Sequence, residues 1–419
     1  MKIKADIIIS ARQAVTPLSD KGCLQGIEMS ELAVFSPGGV AVKSGKILKS
    51  GNKSEILRNF NARKVVDFPD CVIMPGFVDA HTHPVFAGSR VNEYLLRAKG
   101  TAYMEIQAAG GGIISTVKAT RKAGIPELYR LAERRILRMI NHGTTALEAK
   151  SGYGLSVKDE IKMLKVISML KEKLPAEIVP TFLGAHAIPE EFSSDRPGYI
   201  QLVLNAMKKV KSQNLAEAVD VFCEEGAFNL DESEKIFKEA LKLGFKIKIH
   251  AEEFTTKRCA GMASILGASS CDHLLFISDE DIKIMSRNQT PAVLMPGTPF
   301  FLGMEKYAPA RKIIENNVIV ALATDFNAGS CLIESMQTAV SLACIKMKMT
   351  PEEAINAATI NSAYALGLSA CMGSLQEGKY ANLVIMDAED YREIPYHAGV
   401  NLAKSVMIKG KFIRHTVGF

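Results

Sequence analysis

The sequence predicts an α/β protein, a (β/α)8 TIM-like barrel carrying a small β-sandwich domain built from both termini. Three observations predict it. Eight short apolar runs alternate with helical patterns through the middle of the chain. The span from Val72 to Asp325 is 254 residues, against about 250 for an eightfold barrel. Both ends share a different texture of short strands and turns. The predicted division is residues 1–70 and 371–419 for the two parts of the β domain and 71–370 for the barrel.

In order, the N-terminal part holds Ile7-Ile8-Ile9, Val40-Ala41-Val42 and Lys46-Ile47-Leu48, separated by glycine and polar turns. The barrel strands are predicted at Val72-Ile73-Met74, 144–149, 177–183, 218–222, 245–249, 270–274, 292–295 and 318–323. Helical signals fall between them. Pro126 suits a first helical position, Ala132, Ile136, Met139 and Ile140 keep helical spacing, and Gly143 follows as a stop. Ile161, Leu164, Ile167 and Leu170 form a second stripe. Asp231-x-x-Glu234 predicts a capping box, and Ser278-x-x-Asp281 and Thr350-Pro351-x-Glu353 repeat the signal. After residue 373 the segments 382–387 and 405–411 read as strands and a hairpin.

Composition narrows the function classes. Hydrophobic residues are 47% and charged residues 23%, a globular balance that excludes disordered and fibrous chains. Lys plus Arg number 51 against 45 Asp plus Glu, spread without a basic block, so nucleic acid and anionic membrane are not expected as partners. Lys208, Lys209 and Lys211 read as the wet face of a helix. The run at Ile7 is too short for a signal-peptide core, and Pro296, Gly297, Pro299 and Gly303 interrupt the best apolar stretch. Eight cysteines without a C-x-x-C pair suggest reduced, buried thiols and a cytoplasmic protein.

Polar residues at the C-terminal ends of barrel strands carry the functional expectation, because eight ends meet at one mouth. Five of the eight histidines fall there: His81 and His83 after the first strand, His186 after the third, His250 on the fifth and His273 on the sixth, with Asp325 after the eighth. Residues two apart on extended chain face the same way, so His81 and His83 can meet one ion. Three imidazoles and a carboxylate suit a borderline divalent ion such as zinc or iron. His142, His397 and His415 are given no chemistry.

These motifs resemble the amidohydrolase superfamily, above all Pro75-Gly76-Phe77-Val78-Asp79-Ala80-His81-Thr82-His83, with histidines on strands five and six and an aspartate on strand eight. Segments 85–90, 110–113, 148–155, 181–186, 220–226, 250–254 and 323–330 narrow the resemblance to one branch, over about residues 70–385. The resemblance implies hydrolytic opening of the cyclic amide C–N bond of 4-imidazolone-5-propanoate to N-formimidoyl-L-glutamate, a step of histidine degradation. It implies one zinc or iron ion per subunit, held by His81, His83, His250 and Asp325, whose bound hydroxide attacks the ring carbonyl carbon. His273 would support the developing oxyanion. Asp325 and Glu253 are both placed to move the proton. Arg90, Tyr103, Tyr153, His186, Glu253, Asn327, Gly329 and Ser330 are implied around the substrate, with Arg90 offering a guanidinium fork to the propanoate. A homodimer is also implied.

Two segments depart from the family pattern: Lys257-Arg258-Cys259-Ala260-Gly261 replaces a Gly-Gly pair, and Ala328 stands where proline is usual. Both touch loop shape near the mouth. Strand four ends in Glu224-Glu225 without a lysine, so no carbamylated lysine bridging two ions is expected. Competing readings are a mononuclear deaminase of a purine or similar heterocycle, and a non-catalytic relative that kept the barrel.

Overall fold

The computed structural model describes residues 2–101 and 111–413. The chain starts in strands β1 (Ile3–Thr16), β2 (Ala33–Phe35), β3 (Gly38–Lys43), β4 (Lys46–Asn52) and β5 (Phe60–Pro75). It then builds the barrel strands β6 (Phe77–Asp79), β7 (Thr144–Lys150), β8 (Glu177–Ala185), β9 (Ala218–Cys223), β10 (Lys246–Ala251), β11 (Ser270–His273), β12 (Ala292–Leu294) and β13 (Val320–Leu322). It returns in β14 (Leu383–Met386), β15 (Ala403–Ile408) and β16 (Lys411–Ile413).

The two ends form one hydrogen-bonded sheet in the order β16-β15-β14-β5-β1-β3-β4, with β2 on β1. Val384 on β14 sits opposite Met74 on β5, and Ile8 on β1 beside Val65. Ile7, Ile9, Val40, Val42, Ile73, Leu383, Ile385 and Met407 make a separate apolar core there, so neither end buries its strands without the other.

The second sheet runs β6 to β13 in sequence order, each neighbouring pair parallel. Thr82 bridges Phe326 in parallel, and Asp325 N donates to His81 O at 3.1 Å and His83 N to Phe326 O at 2.8 Å, which closes the barrel beyond the strand ends. Below that seam Asp79 accepts from Thr324 N at 3.0 Å and Thr324 Oγ1 at 2.6 Å.

Three expectations are corrected. Val72-Ile73-Met74 is the end of β5 in the terminal sheet, and the first barrel strand is Phe77–Asp79. The apolar run is continuous across both, and the break between them is Gly76, where a Cβ would overlap the Thr145 side chain. The capping box of the helix Leu230–Lys242 uses Asn229 and Glu232, two residues before the predicted pair, leaving Asp231 in the first turn. Cys223 and Cys259 form a disulfide, although reduced thiols were expected; parallel β9 and β10 bring the end of one strand beside the helix that follows the other. The other six cysteines are free. Thr350 and Glu353 form the predicted capping box, Ser278 caps its helix through Asp281 N without the reciprocal bond, and Pro126 lies in the first turn of Ile125–Asn141 as predicted.

Candidate active site

Apolar alternation in short parallel strands leaves their C-terminal residues to project into the barrel mouth. The structure brings His81, His83, His250, His273 and Asp325 together there, all buried. His81 Nε2 lies 3.2 Å from His83 Nε2, and His83 Nε2 lies 3.4 Å from His250 Nε2. Asp325 Oδ1 is 3.6 Å from His81 Nε2 and 3.7 Å from His83 Nε2. Donors around a tetrahedral ion at bonds of about 2.1 Å are separated by about 3.4 Å, so this set fits a zinc-like ion. His81, His83 and His250, and likewise His81, His273 and Asp325, offer ligand atoms within 4.8 Å of one another.

Neighbouring groups aim the donors. Asp272 Oδ2 is hydrogen-bonded to His81 Nδ1 at 2.6 Å, and Asp220 Oδ2 lies 3.1 Å from His250 Nδ1 at ion-pair distance, outside hydrogen-bond geometry; both carboxylates sit behind the rings, whose Nε2 atoms face the centre. Thr298 Oγ1 donates to Asp325 Oδ2 at 2.6 Å, leaving Oδ1 for the centre. Neither ring nitrogen of His273 has a hydrogen-bond partner among the described residues, and its Nε2 is 3.7 Å from Glu253 Oε2. Glu252, His273 and Asp325 all have positive φ, at 51°, 77° and 53°. A left-handed backbone at three non-glycine strand ends stores of order 1–3 kcal/mol each, and such strain gathers at functional sites.

Burial dominates the electrostatics. It depresses His81, His83 and His273 well below the usual imidazole range and brings His186 to about 3, so these rings are neutral. Burial lifts Asp325 to about 6, and it lifts Glu253 well above the usual carboxylate range, with Asp325 and Glu224 adding to the effect on Glu253.

The same mouth opens a cavity of about 440 Å³ lined by Arg90, Tyr153, His186, Glu253, Asn327 and Ser330 together with His83, His250, His273 and Asp325. Phe222, Phe254, Leu302 and Met304 give it an apolar wall. His186 Nδ1 is tied to Gly152 O at 3.0 Å, and its ring stacks on His83 at 5.4 Å. Tyr153 lies against both, 5.4 Å from His186 and 6.1 Å from His83. Arg90 donates to Glu93 at 2.7 Å. Asn327 works mainly on its own loop: its Oδ1 accepts from Gly329 N and Ser330 N at 2.8 Å each, and its Nδ2 donates to Asp325 O at 2.7 Å. Gly329 presses its Cα against the Arg90 guanidinium. Tyr103 lies outside the described residues.

Sequence reasoning missed two sets of groups. Glu224 receives Phe254 N at 2.9 Å and Thr255 N at 3.2 Å, fixing the turn that carries Glu253. Beneath the histidines lies a buried cluster of Glu148, Lys150, Asp220, Lys248 and Asp272. Its signal was a charged residue at alternate positions of otherwise apolar strands, in step with the ligands, as in Lys248 and His250.

A model of the amidohydrolase family matches residues 72–413. A relative from Bacillus cytotoxicus described as imidazolonepropionase is 43% identical over 404 residues, covering 96% of this chain and 95% of its own. A relative of the same description from Bacillus cereus is 42% identical over 412 residues, covering 98% and 97%. Among solved structures, an adenosine deaminase from Xanthomonas campestris with bound zinc aligns at TM-score 0.73 and 19% identity over 98% of this chain and 93% of its own. A guanine deaminase from C. acetobutylicum aligns at TM-score 0.68 and 16% identity over 97% and 99%. At those identities the two deaminases share the fold with this chain.

Proposed function

The chain belongs to the amidohydrolase family, and we infer from that membership and from its cavity that it hydrolyses the cyclic amide C–N bond of 4-imidazolone-5-propanoate, giving N-formimidoyl-L-glutamate. It is a hydrolase of C–N bonds with a small-molecule substrate. The observation that carries the substrate is that Arg90 and the histidine cluster line the same cavity. A guanidinium there matches a propanoate arm while the ring reaches the reacting groups.

His81, His83, His250 and Asp325 would hold one zinc or iron ion per subunit. When bound, such an ion supplies Lewis acidity toward water and the ring carbonyl. Overall, the oxygen of water bonds to the carbonyl carbon, the ring C–N bond breaks, and one water proton ends on the departing nitrogen. Arg90 binds the carboxylate arm, and Tyr153 and His186 pack beside it. Asn327 shapes the loop of Gly329 and Ser330, which borders the ring. Neutral His273, with both nitrogens open, donates to the oxygen that gains charge. Glu253, whose carboxyl burial pushes well above the usual carboxylate range, stands 3.7 Å from His273 and is placed to carry the proton; Asp325 shares the proton traffic.

The division into a terminal β domain and a barrel, drawn at 1–70, 71–370 and 371–419, belongs to the same proposal; two separate sheets support it, with β5 carrying the first boundary on to Pro75. So does a homodimer, supported by the sequence resemblance. A cytoplasmic location belongs to the same proposal, on six free cysteines set against the one disulfide Cys223–Cys259. No helix among the described residues is long and apolar enough to cross a membrane.

The test is metal analysis of the purified chain joined to an imidazolonepropanoate absorbance assay. The expected result is one equivalent of zinc or iron and loss of substrate absorbance, with KM raised at least tenfold in Arg90→Ala at unchanged metal content. Ammonia release from guanine, with imidazolonepropanoate untouched, would replace this reading by a deaminase.

A further inference from the structure

Five ionisable side chains are sealed beneath the histidines and touch no part of the cavity. Glu148, Lys150, Asp220 and Asp272 have no exposed surface, and Lys248 retains 2%. Lys150 Nζ lies 2.5 Å from Asp220 Oδ2, 2.8 Å from Glu148 Oε2 and 3.8 Å from Asp272 Oδ2. Lys248 Nζ lies 2.8 Å from Glu148 Oε2 and 3.9 Å from Asp272 Oδ2, and it donates to Ala80 O, the carbonyl just before His81, at 3.0 Å. Thr181 Oγ1 completes Glu148 at 2.6 Å, and Ser270 Oγ completes Asp272 at 2.6 Å.

Stability does not account for this arrangement. Burying each ion costs several kcal/mol after relaxation, and well-packed apolar residues of equal volume often serve stability as well or better. What the cluster does contain is both of the carboxylates that meet the far nitrogens of His81 and His250. His81, Glu148 and Asp272 also offer donor atoms within 4.8 Å of one another, the spacing of a cation site. In this fold the two ammonium groups already stand beside those carboxylates.

We propose that Lys150 and Lys248 are positioning residues for the metal centre: as two built-in cations they fix Asp272 and Asp220 as acceptors for the Nδ1–H of His81 and His250, so that both rings present a bare Nε2 to the ion. The inference rests on the ligand assignment made above. Lys150 bridges the two sides of the site because it contacts Asp220, under His250, and Asp272, under His81. Lys248 adds a backbone anchor at Ala80. Without the ammonium charges, three adjacent carboxylates repel one another and draw protons or solvent, and the two imidazoles lose their fixed acceptors. An outer partner of a ligand histidine is worth about 10–100-fold in metal affinity.

The test uses the full chain stripped of metal. Ring-nitrogen correlation spectra report the tautomers of His81 and His250, and competition with a chelator reports zinc affinity. The unsubstituted chain should show both rings as Nδ1–H forms. Lys150→Met should scramble the two tautomers and weaken zinc 10–100-fold. Asp272→Asn keeps both lysines and the side-chain shape, and it should disturb His81 alone with a similar loss; it serves if Lys150→Met does not fold. Unchanged tautomers and zinc affinity within twofold in the folded variants would overturn the proposal. Zinc affinity in His83→Ala equal to that of the unsubstituted chain would overturn the ligand assignment and this inference with it. Zinc lost in His83→Ala but retained in Lys150→Met and Asp272→Asn would sink the lysine role alone.

Discussion

At Gly329 one missing methyl group makes room for the Arg90 guanidinium, since a Cβ there would overlap it. Arg90 is also held by Glu93 at 2.7 Å, so it has little freedom to move aside. Gly329→Ala is therefore expected to raise KM about tenfold or more while leaving metal content and fold intact, an effect of ~1.4 kcal/mol on binding. Steady-state kinetics with metal analysis checks it, and an unchanged KM would show that Arg90 does not bind the arm. Single residues were legible to different degrees. His81 and His83 declare themselves by a two-residue spacing on extended chain, and His250, His273 and Asp325 by following apolar runs. Lys150 does not, because a lysine closing a strand reads as a solvated end; its burial depends on Asp220 and Glu148, and Asp220 comes from a strand some seventy residues away. Cys259 was equally silent, its partner being set by strand register and not by spacing.

Loop 151–155, which carries Tyr153, is an element held by one carboxylate on the helix Val157–Lys173. Glu160 Oε1 accepts from Gly154 N and Leu155 N at 2.8 Å each, and Oε2 accepts from Gly152 N at 3.0 Å. Arg121 grips the same loop through Gly154 O at 2.7 Å and Leu155 O at 3.0 Å. The fit is close: a Cβ on Gly154 would sit 2.5 Å from Glu160 N. In Glu160→Gln one acceptor oxygen becomes an NH2 group facing a backbone donor, leaving a buried N–H unsatisfied at about 1–3 kcal/mol. The expected outcome is a lower melting temperature and a several-fold higher KM with metal content unchanged; a full stability loss with KM untouched would detach the loop from substrate binding. Elements were readable where periodicity changed and unreadable where it did not. The run from Val72 to Val78 stays apolar through a change of sheet, so only Gly76 marks the passage from β5 to β6. In the helix Leu230–Lys242 the side chain that meets the third backbone N–H is Asn229, upstream of the Asp231–Glu234 pair that the pattern suggested.

Across the whole molecule, the ligands come from the first and fifth barrel strands and from the turn after the last, so an ion would tie the two sides of the closing seam together. That seam is thin. β6 and β13 form no ladder with each other among the described residues, and the join rests on the Thr82–Phe326 bridge, the Asp79–Thr324 hydrogen bonds and two backbone bonds near His81 and His83. A ligand that binds only the folded state stabilises it by RT ln(1 + [L]/Kd), about 4 kcal/mol at a thousandfold excess over Kd. Chelation should therefore lower the melting temperature by several degrees, and the loss should vary with free metal concentration. The terminal sheet has its own apolar core around Ile9, Ile73 and Ile385 and contributes no ligand, so the effect should be uneven. Hydrogen exchange after metal removal should quicken at the amides of residues 77–83 and 322–327 and stay unchanged in β1 and in residues 60–70 of β5. Equal acceleration in both sheets would mean that the ion acts on global stability and not on the seam, and no acceleration anywhere would remove the metal from the barrel mouth.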